Sequence, residues 1–464
     1  MADLTTLSQS NNMEAPRRSP GWAGSWRVND CSGPALPSPF LQSFALAFRE
    51  RPAVLARESV LFAMEKMTDS PAHLAVPRRL AQLFSSRFPT LPRVFRAPGR
   101  VNLIGEHTDY NDGFVLPAAI DLYTWTAVAA RSDRKLRVFS ENLDEVAEID
   151  LSAAPRPRES WSDYVHGVAL MLAEAGVAIP GADLVVHSNV PTGAGLSSSA
   201  ALEVSVASAL VACSGTTLPL EDLARLCQRA ENEFVGARVG IMDQFASCFG
   251  SANQAILLDC RSLHFELLPL PQGVTMVICN TMVKHGHSGG EYNERRAQCE
   301  EGVRLLRQYY PGIRALRDVT LVQLESQRTE VRRQRIPELI YRRCHHVVSE
   351  NERVLRTVDA LRKGDLASVG VAMAESHLSM KNDYQISCRE LDIMVELAQK
   401  LPGLIGARMT GGGFGGCTIN LVRDASVAQF REEIRIGYHQ ATGIDAEIYV
   451  SMAGAGVTEV KANG

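Results

Sequence analysis

Paired cysteines are missing from this chain of 464 residues: its 10 cysteines are scattered, and no two stand in a C-x-x-C spacing. A disulfide framework or a zinc site is therefore not expected, and the thiols read as reduced, many of them in the core. Long apolar runs are missing as well. None reaches the roughly 18 residues that a membrane span requires, and no basic stretch followed by an apolar one opens the chain, so no secretory signal is expected. A one-sided charge is missing too. Lys and Arg number 48 against 52 Asp and Glu, a formal net charge of -4, which offers little to a nucleic acid or an anionic membrane. The pattern G-x-x-x-x-G-K-[ST] occurs nowhere, which excludes a Walker-type phosphate loop. The expectation is a cytoplasmic, monomeric protein that works on small molecules, with no nucleic-acid and no membrane partner.

What remains is an ordinary globular composition, 45% hydrophobic and 22% charged, in a chain long enough for two or three domains whose cores need no staples. Residues 1–68 depart from it. "SQSNNMEAPRRSPGWAGSWRVNDCSGPALPSP" is rich in Ser, Pro, Gly and Asn and has no sustained period. A disordered or loosely structured leader is expected there, with short helical turns within 40–66. Met64 and Met67 offer alternative translation starts that would leave this leader out of the working protein.

From about residue 70 hydrophobic periods set in. "PAHLAVPRRLAQLFSSRF" has the 3.6-residue period of a helix, with Leu80 and Leu83 on one face. "RVFRAPGRVNLIGEH" and "DGFVLPAAIDLYTWTAVAARS" read as strands around the turn residues Asn111, Asp112 and Gly113. "LRVFSENLDEVAEIDL" has strand character, "WSDYVHGVALMLAEAG" reads as a helix ending at Gly176, and "DLVVHSNVP" as a further strand. Beyond 250, "QAILLDCRSLHFELLPL", "VTMVICNTMV", "ARMTGGGFGGCTINLV" and "AEIYVSMAGAGV" read as strands, with helix over 288–309 and most of 319–400. Hairpin-linked strands mixed with helices imply an α+β architecture. The arginine-rich "VRRQRIPELIYRRCHHVV" reads as a solvated helix face. His345 and His346, like His285 and His287, have no identifiable metal-ligand partners.

The chemistry concentrates in "PTGAGLSSSAALEVSVASALVACSG" (191–215). Pro191 ends the preceding strand, and Gly193, Ala194 and Gly195 free the backbone for a tight turn through Leu196. Ser197, Ser198 and Ser199 then open a helix with Leu202, Val206, Ala209 and Leu210 on one face. Unpaired N–H groups and the positive end of a helix dipole favour phosphate oxygens, and a serine hydroxyl reaches a phosphate or a bound Mg²⁺. The plainer reading is that serines cap helices. Three of them after a G-x-G turn favour phosphate.

This stretch resembles the second motif of the GHMP small-molecule kinases. "GRVNLIGEHTDYNDG" (99–113) is similar to the galactokinase signature, "MTGGGFGGCTINLV" (409–422) to the third, glycine-rich motif, and "GIMDQFAS" (240–247) also matches. The similarity covers about residues 70–455 in the expected order. It implies a two-domain GHMP kinase fold: an N-terminal domain like the second domain of ribosomal protein S5 over 69–250, and a C-terminal ferredoxin-like domain over 251–464. The active site is expected in the cleft between them.

The resemblance also implies roles. Asp243 would accept the proton of a sugar's anomeric hydroxyl, and Arg100 would approach it and stabilise negative charge. Residues Gly193, Ala194, Gly195, Leu196, Ser197, Ser198 and Ser199 would cradle ATP, the co-substrate, and Ser199 with Glu231 would hold Mg²⁺. Local sequence alone does not choose between Glu231 and Glu233. Glu106, His107, Thr108 and Asp109 in "GEHTDY", with Tyr292, would bind the sugar, D-galactose, through hydroxyl-accepting side chains. "GGGFGG" alone serves close backbone packing as readily as closure over a phosphate. A kinase for N-acetylgalactosamine or arabinose would share these motifs. A non-catalytic galactose sensor is disfavoured by the intact "GLSSSAALE" and by Asp243.

Overall fold

The computed structural model describes residues 71–283, 288–329 and 336–461. The leader expected over 1–68, its helical turns and its alternative starts lie outside the described residues, as do His285 and His287. Chain order runs α1 (Pro71–Arg87), β1 (Arg93–Asn102), β2 (Phe114–Val115), β3 (Pro117–Arg131), β4 (Lys135–Ser140) and β5 (Glu145–Asp150). It continues through α2 (Ser162–Glu174), β6 (Gly181–Ser188), α3 (Ser198–Ser214), α4 (Leu220–Arg229) and α5 (Met242–Phe249). Next come β7 (Gln254–Asp259), β8 (Phe265–Pro269), β9 (Val274–Asn280), α6 (Ser288–Leu306), α7 (Leu321–Thr329), α8 (Glu338–Lys363) and α9 (Leu366–Ser379). The chain closes with α10 (Arg389–Ala398), β10 (Leu404–Thr410), β11 (Cys417–Arg423), α11 (Val427–Thr442), β12 (Glu447–Ser451) and β13 (Thr458–Val460).

The β-branched and aromatic run of β3 is the spine of a six-stranded sheet, ordered β13–β1–β3–β6–β4–β5. It pairs antiparallel with β1 on one side and β6 on the other, and β4 joins β6 in parallel. Strand alternation divides the apolar residues between two faces. Val128, Leu136, Val138 and Leu184 pack on Val165 and Leu172 of α2 and on Val206 and Leu210 of α3. Trp125, Phe139 and Val185 point the other way, onto Leu80 and Phe84 of α1.

A four-stranded antiparallel sheet, β10–β11–β9–β12, has the ferredoxin-like arrangement of helices against strands. In β9 the faces alternate residue by residue. Val277 and Cys279 meet Met394 and Val395 of α10 and Phe430 and Ile434 of α11. Met276 and Ile278 join a core with Val354 of α8, Met373 of α9 and Val101 and Leu116 from the first half of the chain. The α+β class is as expected, and the last strand, β13, returns to pair with β1. Among the described residues no helix is long and apolar enough to cross a membrane.

One expectation is corrected. The described part of the arginine-rich segment, 336–348, is not simply a solvated face, because one side of α8 packs against neighbouring helices and takes polar residues in with it. Arg343 is 2% exposed and donates to the side chains of Gln298 and Gln385. His346 is fully buried, between the Ser379 hydroxyl and the Glu106 carbonyl. Buried polar groups need such partners, and tertiary packing supplies them.

Candidate active site

Breaks in regular structure deliver the functional side chains. The register of β1 against β3 slips between Pro98 and Arg100, an irregularity of the kind that re-aims a side chain out of a ladder. After β6 the chain turns through 189–197 before α3 begins. Beyond α4 a π-helical turn, Ala230–Val235, carries Glu231, and Asp243 stands in the first turn of α5. A second such turn, Met380–Tyr384, lies behind the site, with the Tyr384 hydroxyl 2.7 Å from that of Tyr110. Widened turns of this kind often mark functional sites.

They meet at a cleft of 430 Å³. Arg100, Glu106, His107, Asp109, residues 193 and 195–199, Glu231, Asp243, Tyr292 and the glycine segment 411–416 all line it. Two residues expected there are not on its wall. Thr108 is fully buried, with its hydroxyl 2.6 Å from the Phe114 carbonyl and 2.8 Å from that of Gly105, so it shapes the loop. Ala194 is buried beneath Gly416, where a Cβ would lie 2.7 Å from the Ala194 carbonyl. The two glycine loops are in fact stacked backbone on backbone. A Cβ on Gly411, at φ +86°, would stand 2.6 Å from the Gly195 carbonyl, so only glycine fits.

On the floor of the cleft Arg100 donates from Nε and Nη2 to the two Asp243 oxygens, at 2.9 Å each. Its Nη1 donates to the Gly195 carbonyl at 2.6 Å. The Ser197 hydroxyl also donates to Asp243, at 2.6 Å, and makes no cap bond to α3. Ser199 and Glu231 line the same cleft. Burial separates the two glutamates that local sequence left open. Glu231 is 6% exposed on the cleft wall, whereas Glu233 is exposed and paired with Arg229.

Behind Glu231 lies a pair that sequence reasoning missed. Gln244 Nε2 donates to Glu231 at 2.8 Å and to the fully buried Glu203 at 3.1 Å. Burial, then the adjacent Glu231, raise the Glu203 carboxyl well above the usual range. Burial, then the Asp243 carboxylate, push Glu231 up to about 7. The available signal was a lone glutamate in the apolar run of α3.

Of the "GEHTDY" residues, Glu106, His107 and Asp109 line the cleft. Asp109 rests on Gly240, where a Cβ would come within 2.0 Å of its Oδ2. Its Oδ1 accepts from the Tyr110 N–H at 3.0 Å. Burial, then Asp243, push Asp109 up to about 6. His107 lies with Nδ1 2.7 Å from the Tyr110 hydroxyl and Nε2 3.3 Å from the Gly412 carbonyl. That carbonyl only accepts, so the proton is assigned to Nε2. Burial, then the neighbouring His346, lower the ring to about 3, so it is neutral. The Tyr292 ring centre is 5.1 Å from that of His107.

Glu106 turns its carboxylate inward. It accepts from the Gly411 N–H at 2.6 Å and from the Asn102 amide, and Arg408 approaches it at 3.3 Å. Arg408 is fully buried and also faces Glu350 of α8, which in turn accepts from the Gly105 N–H at 2.9 Å. The loop that follows β1 is thus pinned from β10 and α8 together.

Among the described residues no group of three or more His, Cys, Asp and Glu side chains forms a metal cage. The Ser199 hydroxyl, in the first turn of α3, and the Glu231 carboxylate are hard oxygens on the same cleft, and such donors fit an ion that keeps waters and substrate phosphates among its ligands, as Mg²⁺ does.

Three family models match the chain: the galactokinase galactose-binding signature over 82–130, the GHMP kinases N terminal domain over 163–251, and GHMP kinases C terminal over 357–440. Galactokinase of Roseiflexus sp. (strain RS-1) is 47% identical over 385 residues, 83% of this chain and 97% of that protein. Galactokinase of Actinobacillus pleuropneumoniae serotype 5b (strain L20) is 44% identical over 386 residues, 82% of this chain and 99% of that protein. The crystal structure of Lactococcus lactis galactokinase complexed with galactose is similar with a TM-score of 0.79 at 37% identity, over 83% of this chain and 100% of that one. Methanococcus jannaschii mevalonate kinase shares the fold alone, with a TM-score of 0.56 at 16% identity over 78% and 98% of the two chains. Identity of 47% sustained over 83% of the chain, with the galactose-binding signature falling on the loop that carries Asp109, makes this protein a member of the galactokinase family of GHMP kinases, an ATP-dependent sugar kinase.

Proposed function

We propose that the chain transfers the γ-phosphoryl group of ATP to the anomeric hydroxyl of D-galactose, giving α-D-galactose 1-phosphate, with Mg²⁺ as the metal. One observation carries the reading. A single cleft is lined by Asp109, by the opening turn of α3 with Ser199, by Glu231 and by the hydrogen-bonded Arg100–Asp243 pair. Phosphoryl transfer asks a protein for positioning and charge neutralisation, and this arrangement supports both.

In this reading Asp243 accepts the anomeric proton as the sugar oxygen attacks. Arg100 orients that carboxylate with two parallel hydrogen bonds and sets a positive charge beside the oxygen where negative charge develops. The segment 193–199 and the N–H groups that open α3 receive phosphate oxygens. Ser199 and Glu231 hold Mg²⁺, which when bound neutralises phosphate charge. Asp109 accepts sugar hydroxyls, with His107 and Tyr292 beside it, and Glu106 fixes the loop against the glycine turn. The kinase body divides near 250, so that Tyr292 and Gly412 come from the second part and the remaining groups from the first. The reading includes a cytoplasmic monomer without nucleic-acid or membrane partners, in keeping with a net charge of only -4.

The test is ADP release in the presence of ATP and Mg²⁺ across galactose, glucose, N-acetylgalactosamine and arabinose. Galactose should turn over. Glucose, with its C4 hydroxyl inverted, leaves a desolvated acceptor unpaired at roughly 1–3 kcal/mol, so it should be about ten- to a hundredfold poorer. Preference for another sugar in the panel refutes the substrate assignment, and no ADP release with any of them refutes the catalytic one.

A further inference from the structure

Ser197 departs from its neighbours in two ways. Its φ of 60° and ψ of 46° lie in the left-handed region that non-glycine residues seldom adopt. It stands directly before α3, where a serine usually caps, yet its hydroxyl caps nothing. The hydroxyl instead donates to Asp243 Oδ2 at 2.6 Å. The surrounding bonds close a ring. The Arg100 N–H donates to the Leu196 carbonyl at 3.1 Å, Arg100 Nη1 to the Gly195 carbonyl at 2.6 Å, and Arg100 Nε to Asp243 at 2.9 Å. Asp243 is therefore gripped from two sides, by a guanidinium on β1 and by a hydroxyl on the loop that leads into α3.

We infer that Ser197 is a positioning residue for Asp243, and that its left-handed backbone aims the hydroxyl at that carboxylate instead of at a phosphate. The inference rests on the reading of Asp243 as the acceptor of the anomeric proton. A residue at 197 in the right-handed conformation would continue α3 toward its N-terminus and lay its Cβ along the helix surface. Asp243 would then be held by Arg100 alone. The side chain of Asp243 remains 23% exposed, on the cleft wall, so a second grip limits the rotation that this opening permits.

The experiment is a double-mutant cycle with Ser197→Gly and Asp243→Ala. Glycine adopts the left-handed backbone without strain, so Ser197→Gly removes the hydroxyl and leaves the fold intact. With galactose as acceptor its kcat should fall about 10- to 100-fold, the effect of one hydrogen bond to a charged group. KM for ATP, and the dissociation constants for ATP and galactose, should stay within about twofold. Ser197→Ala should show the same loss. In the Asp243→Ala background Ser197→Gly should cost nothing further, because the group it orients is gone. Unchanged kcat, a raised KM for ATP in place of a lowered kcat, or an equal loss in both backgrounds would each overturn the inference alone. Near wild-type turnover in Asp243→Ala would overturn the reading of Asp243, and this inference with it.

Discussion

Lowering the pH from about 8 to about 5 carries Asp109 through its titration, because burial, followed by the Asp243 carboxylate, holds its carboxyl at about 6 instead of 3.8. That displacement corresponds to roughly 3 kcal/mol against the charged form. The ionised carboxylate accepts hydrogen bonds from sugar hydroxyls, and protonation removes part of that capacity. With ATP and Mg²⁺ saturating, kcat/KM for galactose should be level above about pH 7 and fall about tenfold per unit below about 6. Saturation matters because Glu231, pushed up to about 7, adds a limb of its own when its metal is absent. Asp109→Asn keeps the acceptor for the Tyr110 N–H and loses the charge. Its kcat/KM should be about 10- to 100-fold lower and should lack the limb near 6. If wild type and variant share the same acid limb, Asp109 is not the group that titrates and the reasoning fails.

The same shift acts on stability with the opposite sign. A carboxyl whose pKa is higher folded than unfolded binds more protons folded between those two values, so stability declines as pH rises through them. For Asp109 that window runs from 3.8 to about 6, and the penalty is complete above it. Asp109→Asn should therefore be the more stable protein at about pH 8, by up to roughly 3 kcal/mol, with the gain vanishing near pH 4. Urea unfolding of both proteins at the two pH values measures this, and a variant less stable at pH 8 contradicts it.

Other expectations follow from the neighbouring contacts. Glu231→Ala should raise the Mg²⁺ concentration for half-maximal activity on the order of tenfold or more, while Glu233→Ala, which removes only an exposed ion pair, should leave that titration unchanged. Gly240→Ala places a methyl 2.0 Å from the Asp109 carboxylate, so KM for galactose should rise about tenfold as that carboxylate is displaced; an unchanged KM would mean that Asp109 does not contact the sugar. Glu203→Gln keeps an acceptor for the Gln244 amide and should keep activity within about threefold, whereas Glu203→Leu leaves that amide short of an acceptor and should destabilise by roughly 1–3 kcal/mol in urea unfolding.

Much of this was legible in the sequence because it depends on local spacing. The apolar period of α3, the turn glycines before it and the "GEHTDY" and "GIMDQF" motifs lie within windows of a dozen residues, and the structure brings Arg100, Asp109, Ser199, Glu231 and Asp243 to one cleft. What stayed hidden depends on partners far along the chain. Glu106 reads as a sugar ligand in its own window, yet its oxygens are taken by Asn102, Arg408 and Gly411. Arg343 and His346 read as surface residues because the helices that bury them are specified elsewhere. Thr108 carries the same hydroxyl as a binding residue would, but its backbone turns it onto two carbonyls.

The serine triplet shows where the division falls. Three identical side chains in a row announce a polar helix start and nothing about direction. The left-handed backbone at Ser197 turns the first hydroxyl onto Asp243, while the third, two residues later on the helical backbone of α3, lines the cleft with Glu231. Residue type determines which groups are available to the site. The assignment of the first hydroxyl to Asp243 is made by a backbone conformation that no local propensity for serine would favour, held in place by Arg100 across the loop. A sequence window therefore reports the chemistry of such a site more faithfully than its wiring.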